Sequence, residues 1–179
     1  MKRRTFIVGA AGTGVLLAGF GAWLRPGDHG APYDDYFARL NRELREHGPM
    51  RPVMLIDLDW FKRINDEHGH PTGDDVLRTF AITMFANIRS SDRFGRYGGE
   101  EFLLVLPGAP LDPACRLAER LRQIIADLDW SAFSAGLQVT FSAGVATSHG
   151  DETTESLLSR ADRALYASKA QGRNRVTRA

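Results

Sequence analysis

The chain has 179 residues, 43% hydrophobic and 25% charged, with a formal net charge of +1. That suffices for one globular domain with a buried core plus an appendage, and the near-balanced charge gives no electrostatic basis for a nucleic-acid partner. The single cysteine, Cys115, excludes an internal disulfide and fits a reducing compartment. Its neighbours Ala114, Leu117 and Ala118 predict a buried, inert thiol on a helix face.

Residues 1–26 read as a hydrophobic N-terminal segment, 27–32 as a Gly/Pro linker and 33–179 as the main domain. Lys2, Arg3 and Arg4 precede an uncharged run at 6–24, nineteen residues long with five glycines. Its length falls within the about 17–25 residues that span a bilayer as a helix. A membrane anchor, a cleaved export signal of twin-arginine type (Arg3-Arg4-Thr5-Phe6) and a packing helix compete. The absence of a polar face argues against the packing helix, and the weak cleavage site favours an uncleaved anchor.

Residues 33–46 predict an amphipathic helix with Tyr36, Phe37, Leu40 and Leu44 on one face, ended by Gly48-Pro49. A buried strand follows at 53–58 and a short helix at 60–68. Gly69-His70-Pro71 breaks the chain before a helix at 74–89, with Val76, Leu77, Phe80, Met84 and Ile88 inward. Asp74, read alone, is an N-cap. Next comes a hairpin: Asp92-Arg93-Phe94-Gly95 leads into the turn Arg96-Tyr97-Gly98-Gly99-Glu100-Glu101-Phe102, and apolar Leu103 to Leu106 follow. Glycines at such a turn supply positive φ and let a ligand approach the backbone. Asp112 caps a helix to about residue 128, with Ala114, Leu117, Leu121 and Ile124 inward. Residues 137–146 are strand material with Gly144 as a bend. A helix at 154–170 and an edge strand at 174–177 complete the chain. The central hairpin makes the sheet largely antiparallel, an α+β pattern.

Four motifs stand in order: Ile56-Asp57-Leu58-Asp59-Trp60-Phe61-Lys62, then Asn65-Asp66 with His68-Gly69-His70 and Gly73-Asp74, then the Gly-Gly-Glu-Glu-Phe hairpin, then Ala161 to Lys169 ending Gly172-Arg173-Asn174. Together they resemble the GGDEF family of diguanylate cyclases from about Tyr36 onward. The resemblance implies a ferredoxin-like palm, as in nucleotide cyclases, with helices flanking the sheet. The implied activity joins two GTP into cyclic di-GMP and releases two pyrophosphates, a signalling reaction. Such in-line transfer needs charge neutralisation on the triphosphate and an activated ribose hydroxyl, which carboxylate-held Mg²⁺ (or Mn²⁺) supplies.

On this resemblance Asp57, the Leu58 carbonyl and Glu100 are metal ligands, and Glu100 and Glu101 are catalytic. Asn65 and Asp74 match guanine-reading positions, where a carboxamide and a carboxylate suit the donors and acceptor of a guanine edge. Phe61, Lys62, Gly98, Gly99, Lys169 and Arg173 match triphosphate-binding positions; Lys169 and Arg173 also read as favourable cations at a helix C-terminus. Arg89-Ser90-Ser91-Asp92 matches the family's inhibitory Arg-x-x-Asp site for cyclic di-GMP, with Arg120 assisting; a helix-end ion pair is the plainer reading. His68 and His70 lack zinc-ligand spacing and read as structural. One GTP per domain implies a homodimer. The family's lead-in stretch, Asp-x-Leu-Thr-Gly-Leu-x-Asn-Arg, is missing, which leaves a regulator that binds GTP or cyclic di-GMP without turnover as the alternative. The expected location is the bacterial inner membrane with the domain on the cytoplasmic side, where GTP is found. Lys2 to Arg4, kept cytoplasmic, would put a single-span domain on the other side.

Overall fold

The computed structural model describes residues 52–150 and 152–179. The hydrophobic run at 6–24 and the helix expected at 33–46 lie outside them. Among the described residues no helix is long and apolar enough to cross a membrane.

The element order is β1 (Pro52–Leu58), α1 (Phe61–His68), α2 (His70–Ala86), β2 (Arg93–Arg96), β3 (Glu101–Val105), α3 (Leu111–Ala126), a 3₁₀ turn (Trp130–Ala132), β4 (Phe141–Thr147), α4 (Thr154–Ala170) and β5 (Val176–Arg178). The sheet runs β2-β3-β1-β4-β5. Every pairing is antiparallel except β4 with β5, the largely antiparallel sheet expected, but the β2–β3 hairpin lies to one side of it and β1 is the central strand. All seven residues of β1 and of β4 are buried. A strand shielded on both faces reads as a continuous apolar run rather than an alternating one, which is what Val53 to Ile56 spell. Phe80 of α2 meets Phe102, Phe141 and Phe94 at ring-centroid distances of 4.8, 5.7 and 6.3 Å, and Phe94 stacks on Phe102. This aromatic cluster joins α2 to the hairpin and to β4.

Several expectations are corrected. Helix α2 starts at His70, because Pro71 in a first turn surrenders an N–H that has no acceptor there. Asp74 is therefore inside the helix and caps nothing. The helix ends at Ala86, leaving Ile88 beyond it. Asp112 lies in the first turn of α3 behind Pro110, caps no N–H, and pairs with Arg178 at 2.9 Å. The buried positions of α3 are Ala114, Ala118, Leu121 and Ile125, so Leu117 and Ile124 sit at the border of the apolar face. Cys115 is half-buried, its thiol pushed up mainly by burial. Residues 137–140 are not strand, and β5 begins at Val176 rather than 174. Gly144 is no bend: it sits mid-β4, where a Cβ would come within 2.0 Å of the Ala161 carbonyl oxygen and 2.3 Å of the Leu165 nitrogen. Its missing side chain lets α4 lie directly on the strand.

Candidate active site

Strands β1 and β3 run side by side with Asp57 opposite Glu101, and the Leu58 N–H donates to the Glu100 carbonyl at 3.2 Å. The C-terminal end of β1 and the hairpin turn therefore share one edge of the sheet. The Tyr97 and Gly98 N–H groups both donate to the Glu101 carbonyl, at 2.7 and 3.2 Å. Arg96 Nε donates to the Gly98 and Gly99 carbonyls at 3.2 and 2.8 Å. Neither Gly98 nor Gly99 has a positive φ, contrary to the expectation from the turn sequence. What they supply is room. A Cβ on Gly98 would lie 2.7 Å from Glu101 Oε2, whereas Gly99 has nothing within 4 Å. The first glycine accommodates the Glu101 carboxylate and the second leaves open space beside it.

Helix α4 brings Lys169 to this edge, its Nζ 2.7 Å from Asp57 Oδ2. Burial pushes the Asp57 carboxyl up; Lys169 opposes that, and the charges of Glu100 and Glu101 add to it. The same acidic edge faces Tyr97, whose phenol is raised by burial first and then by Glu101 and Asp162. Asp57 is thus a carboxylate whose charge asks for a cation, and a lysine ammonium now provides one. Among the described residues no group of three or more His, Cys, Asp or Glu side chains could enclose a metal. Mg²⁺ typically takes only one or two protein carboxylates and completes its shell with water and phosphate oxygens, so this hard-oxygen edge, already neutralised by a cation, fits that ion.

Asp59 behaves differently from Asp57. It is 4% exposed, and its carboxylate accepts from Thr140 Oγ1 at 2.7 Å, Ser142 Oγ at 2.7 Å and the Asn174 N–H at 2.9 Å. It ties the end of β1, the start of β4 and the loop after α4 into one joint. Sequence reasoning missed this role; the signal was the second aspartate of Asp-x-Asp falling just past the strand, beside polar Thr140 and Ser142.

Trp60 follows at φ 59°, and α1 begins directly after it with no side-chain cap. The first α1 N–H groups, those of Phe61 and Lys62, are thereby left for another acceptor, while the Lys62 ammonium pairs with Asp66 at 2.6 Å. Gly73 of α2 packs on α1 so closely that a Cβ would fall 1.9 Å from Asn65 Oδ1. Asn65 makes that contact, and exposed Asp74 follows Gly73 directly. His68 Nδ1 lies 2.8 Å from Ser134 Oγ, in keeping with a structural role.

Away from this edge, Arg89, Asp92 and Arg120 line one cavity of about 540 Å³ together with Asn87, Pro110 and Arg116. Asp92 accepts from the Arg89 backbone N–H at 2.9 Å, and among the described residues neither side chain forms an ion pair. Arg120 donates to the Asn87 carbonyl at 2.8 Å. The helix-end ion pair is thus not formed, and the Arg89 guanidinium remains available.

A family model described as "Diguanylate cyclase, GGDEF domain" matches residues 34–175. The chain belongs to the GGDEF family. The response regulator PleD of Caulobacter vibrioides is 45% identical to this GGDEF chain over 127 residues, which is 69% of this chain and 28% of PleD. Diguanylate cyclase DgcM of Escherichia coli K12 is 41% identical over 161 residues, 83% of this chain and 38% of DgcM. The GGDEF chain therefore spans well under half the length of these relatives. Among solved structures, the coiled coil and GGDEF domain of DgcB from Caulobacter crescentus, in complex with c-di-GMP, superposes with TM-score 0.72 at 33% identity, covering 82% of this chain and 78% of that one. The active GGEEF domain of a diguanylate cyclase from Vibrio cholerae superposes with TM-score 0.69 at 36% identity, covering 82% and 92%. The α+β fold expected from the motif order is the fold of these GGDEF structures.

Proposed function

We propose that the chain condenses two GTP molecules into cyclic di-GMP with release of two pyrophosphates. The observation that carries this reading is the hydrogen-bonded junction of the Gly98-Gly99-Glu100-Glu101 turn with the end of β1, which sets two glutamates beside Asp57. Asp57, the Leu58 carbonyl and Glu100 would hold Mg²⁺ (or Mn²⁺), which supplies charge neutralisation on the triphosphate. Glu100 also takes the proton from the attacking 3′-hydroxyl, and Glu101 supports it at the turn. Asn65 and Asp74 read the guanine edge, with Gly73 fixing how closely α2 approaches Asn65. Phosphate oxygens are received by the N–H groups opening α1 at Phe61 and Lys62, by the open side of Gly98-Gly99, and by Lys169 and Arg173. Lys169 exchanges Asp57 for phosphate when the nucleotide arrives. Each domain binds one GTP, so turnover takes place between two copies.

Product control is part of the proposal: Arg89, Asp92 and Arg120 bind cyclic di-GMP in the cavity that they line. The N-terminal run holds the domain at the inner membrane on its cytoplasmic side; a reporter fused to the C-terminus that is active only after export would overturn this placement.

The test is a nucleotide assay with GTP and Mg²⁺ at two protein concentrations. Cyclic di-GMP should form with a steep dependence on protein concentration, and Glu100→Ala should abolish synthesis while leaving the unfolding midpoint close to the parent's. Normal turnover in that variant would refute the assignment. The missing lead-in stretch favours a second reading, a module that binds GTP or cyclic di-GMP without synthesis; bound GTP with no product would select it.

A further inference from the structure

The corner where β1 meets α1 contains a feature that the proposed chemistry does not use. Trp60 is 60% exposed, an unusual place for the largest apolar side chain, and its backbone is left-handed at φ 59°. Directly over its ring, 3.8 Å from the centroid, lies the Arg173 guanidinium. Arg173 and its neighbour Asn174 are left-handed too, at φ 63° and 45°. Asparagine visits that conformation readily, but tryptophan and arginine do so rarely and at a cost that surrounding structure must offset. The enforcing element is Asp59: it immediately precedes Trp60 and accepts the N–H of Asn174, which immediately follows Arg173. One buried carboxylate thus fixes the backbone on both sides of the stacked pair.

The two cations at this edge are held in opposite ways. Lys169 is spent on a carboxylate, Asp57. Among the described residues Arg173 forms no ion pair. An aromatic face orients a guanidinium through its plane and leaves its charge and its in-plane N–H donors for an anion, whereas a carboxylate would consume both.

We infer that Trp60 is a positioning residue: it presents the Arg173 guanidinium, undischarged, to the triphosphate bound at the start of α1. This rests on the proposed GTP site. The affected quantity is nucleotide affinity rather than the chemical step, because the group that Trp60 positions, Arg173, is assigned to phosphate and not to the metal or the attacking hydroxyl.

The test uses the full chain as parent, Trp60→Ala, Trp60→Phe, Arg173→Ala and the Trp60→Ala/Arg173→Ala double variant. GTP affinity is measured by equilibrium dialysis with Mg²⁺, so that it is read independently of turnover, and KM and kcat are measured beside it. Trp60→Ala should weaken affinity about two- to fivefold, the range expected of an exposed cation–π contact, and raise KM with kcat held. Trp60→Phe should restore most of the loss, and Trp60→Ala should add nothing once Arg173 is alanine. Parent-like affinity in Trp60→Ala, or an equal further loss in the Arg173→Ala background, would overturn the inference while leaving the GTP site standing. A parent chain that takes up no GTP would instead overturn the proposed function, and this inference with it.

Discussion

The connection from β4 to α4 carries an ion pair whose strength can be worked out and tested. Arg160 meets Glu152 with two nitrogens, Nε to Oε1 at 2.8 Å and a terminal nitrogen to Oε2 at 2.6 Å. Glu152 also accepts from Ser156 Oγ at 2.9 Å and from the His149 N–H at 3.2 Å, and Arg160 donates to the Thr147 carbonyl at the end of β4. Arg160 first, with Ser156 and His149 after it and burial opposing, holds the Glu152 carboxyl down from 4.5 to about 2. A depression of that size corresponds to about 3 kcal/mol of folding stability when fully expressed. Both side chains are largely sheltered, 11% exposed for Glu152 and 18% for Arg160. Residual solvent screening brings the expected contribution to about 1–3 kcal/mol. Because the folded carboxyl titrates lower than the unfolded one, this stability is complete above about pH 4.5 and drains away as pH falls toward 2. Glu152→Gln keeps the shape and removes the charge. Urea unfolding of parent and variant should therefore differ by about 1–3 kcal/mol at pH 7 and converge as pH drops to 3 and below. A constant difference across pH 7 to 3, or none at pH 7, would refute the reasoning.

Two further predictions concern the ligand sites. Gly73→Ala puts a methyl group into Asn65 Oδ1, so KM for GTP should rise on the order of tenfold at a stability cost of about 1–3 kcal/mol; an unchanged KM would remove Asn65 from guanine reading. Arg89→Ala should relieve inhibition by added cyclic di-GMP while leaving the initial rate intact, and inhibition curves that overlay the parent's would withdraw only the role of the Arg89 cavity.

Much of the architecture was legible because apolar runs are bounded by clear turn residues. Val53 to Leu58 is an apolar run too short for an ordinary helix and so reads as a covered strand, and the Gly-Gly between Arg96 and Phe102 marks the hairpin whose partner strands set the sheet's direction. Helix α4 spans the residues its pattern predicts. The failures share a cause: the local meaning of a residue was overruled by what packs on it. Pro71 reads as a breaker and serves as a helix opener; Gly144 reads as a bend and serves as a helix seat. Gly98 and Gly99 read as positive-φ residues and act as gaps. At the candidate site the individual carboxylates and cations were readable from the motifs. The Asp57–Lys169 contact, the Asp59 joint and the Trp60–Arg173 stack join segments remote in sequence, and no periodicity encodes such meetings.

The contrast between the two aspartates of Asp-x-Asp bears on how such a domain could change over evolutionary time. Asp59 has its three hydrogen bonds, and removing its carboxylate would leave the Ser142 hydroxyl unmatched in the core and loosen the joint of β1, β4 and the C-terminal loop. Asp57 has its carboxyl pushed up by burial, with Lys169 opposing, so asparagine there relieves a desolvation cost while giving up the Lys169 contact. A single base change at codon 57 can therefore remove the proposed metal ligand at less risk to the fold than the same change two codons later. On the proposed function, a synthase could thus lose its chemistry in one step that the fold tolerates, and selection for catalysis more than for stability would keep Asp57 in place.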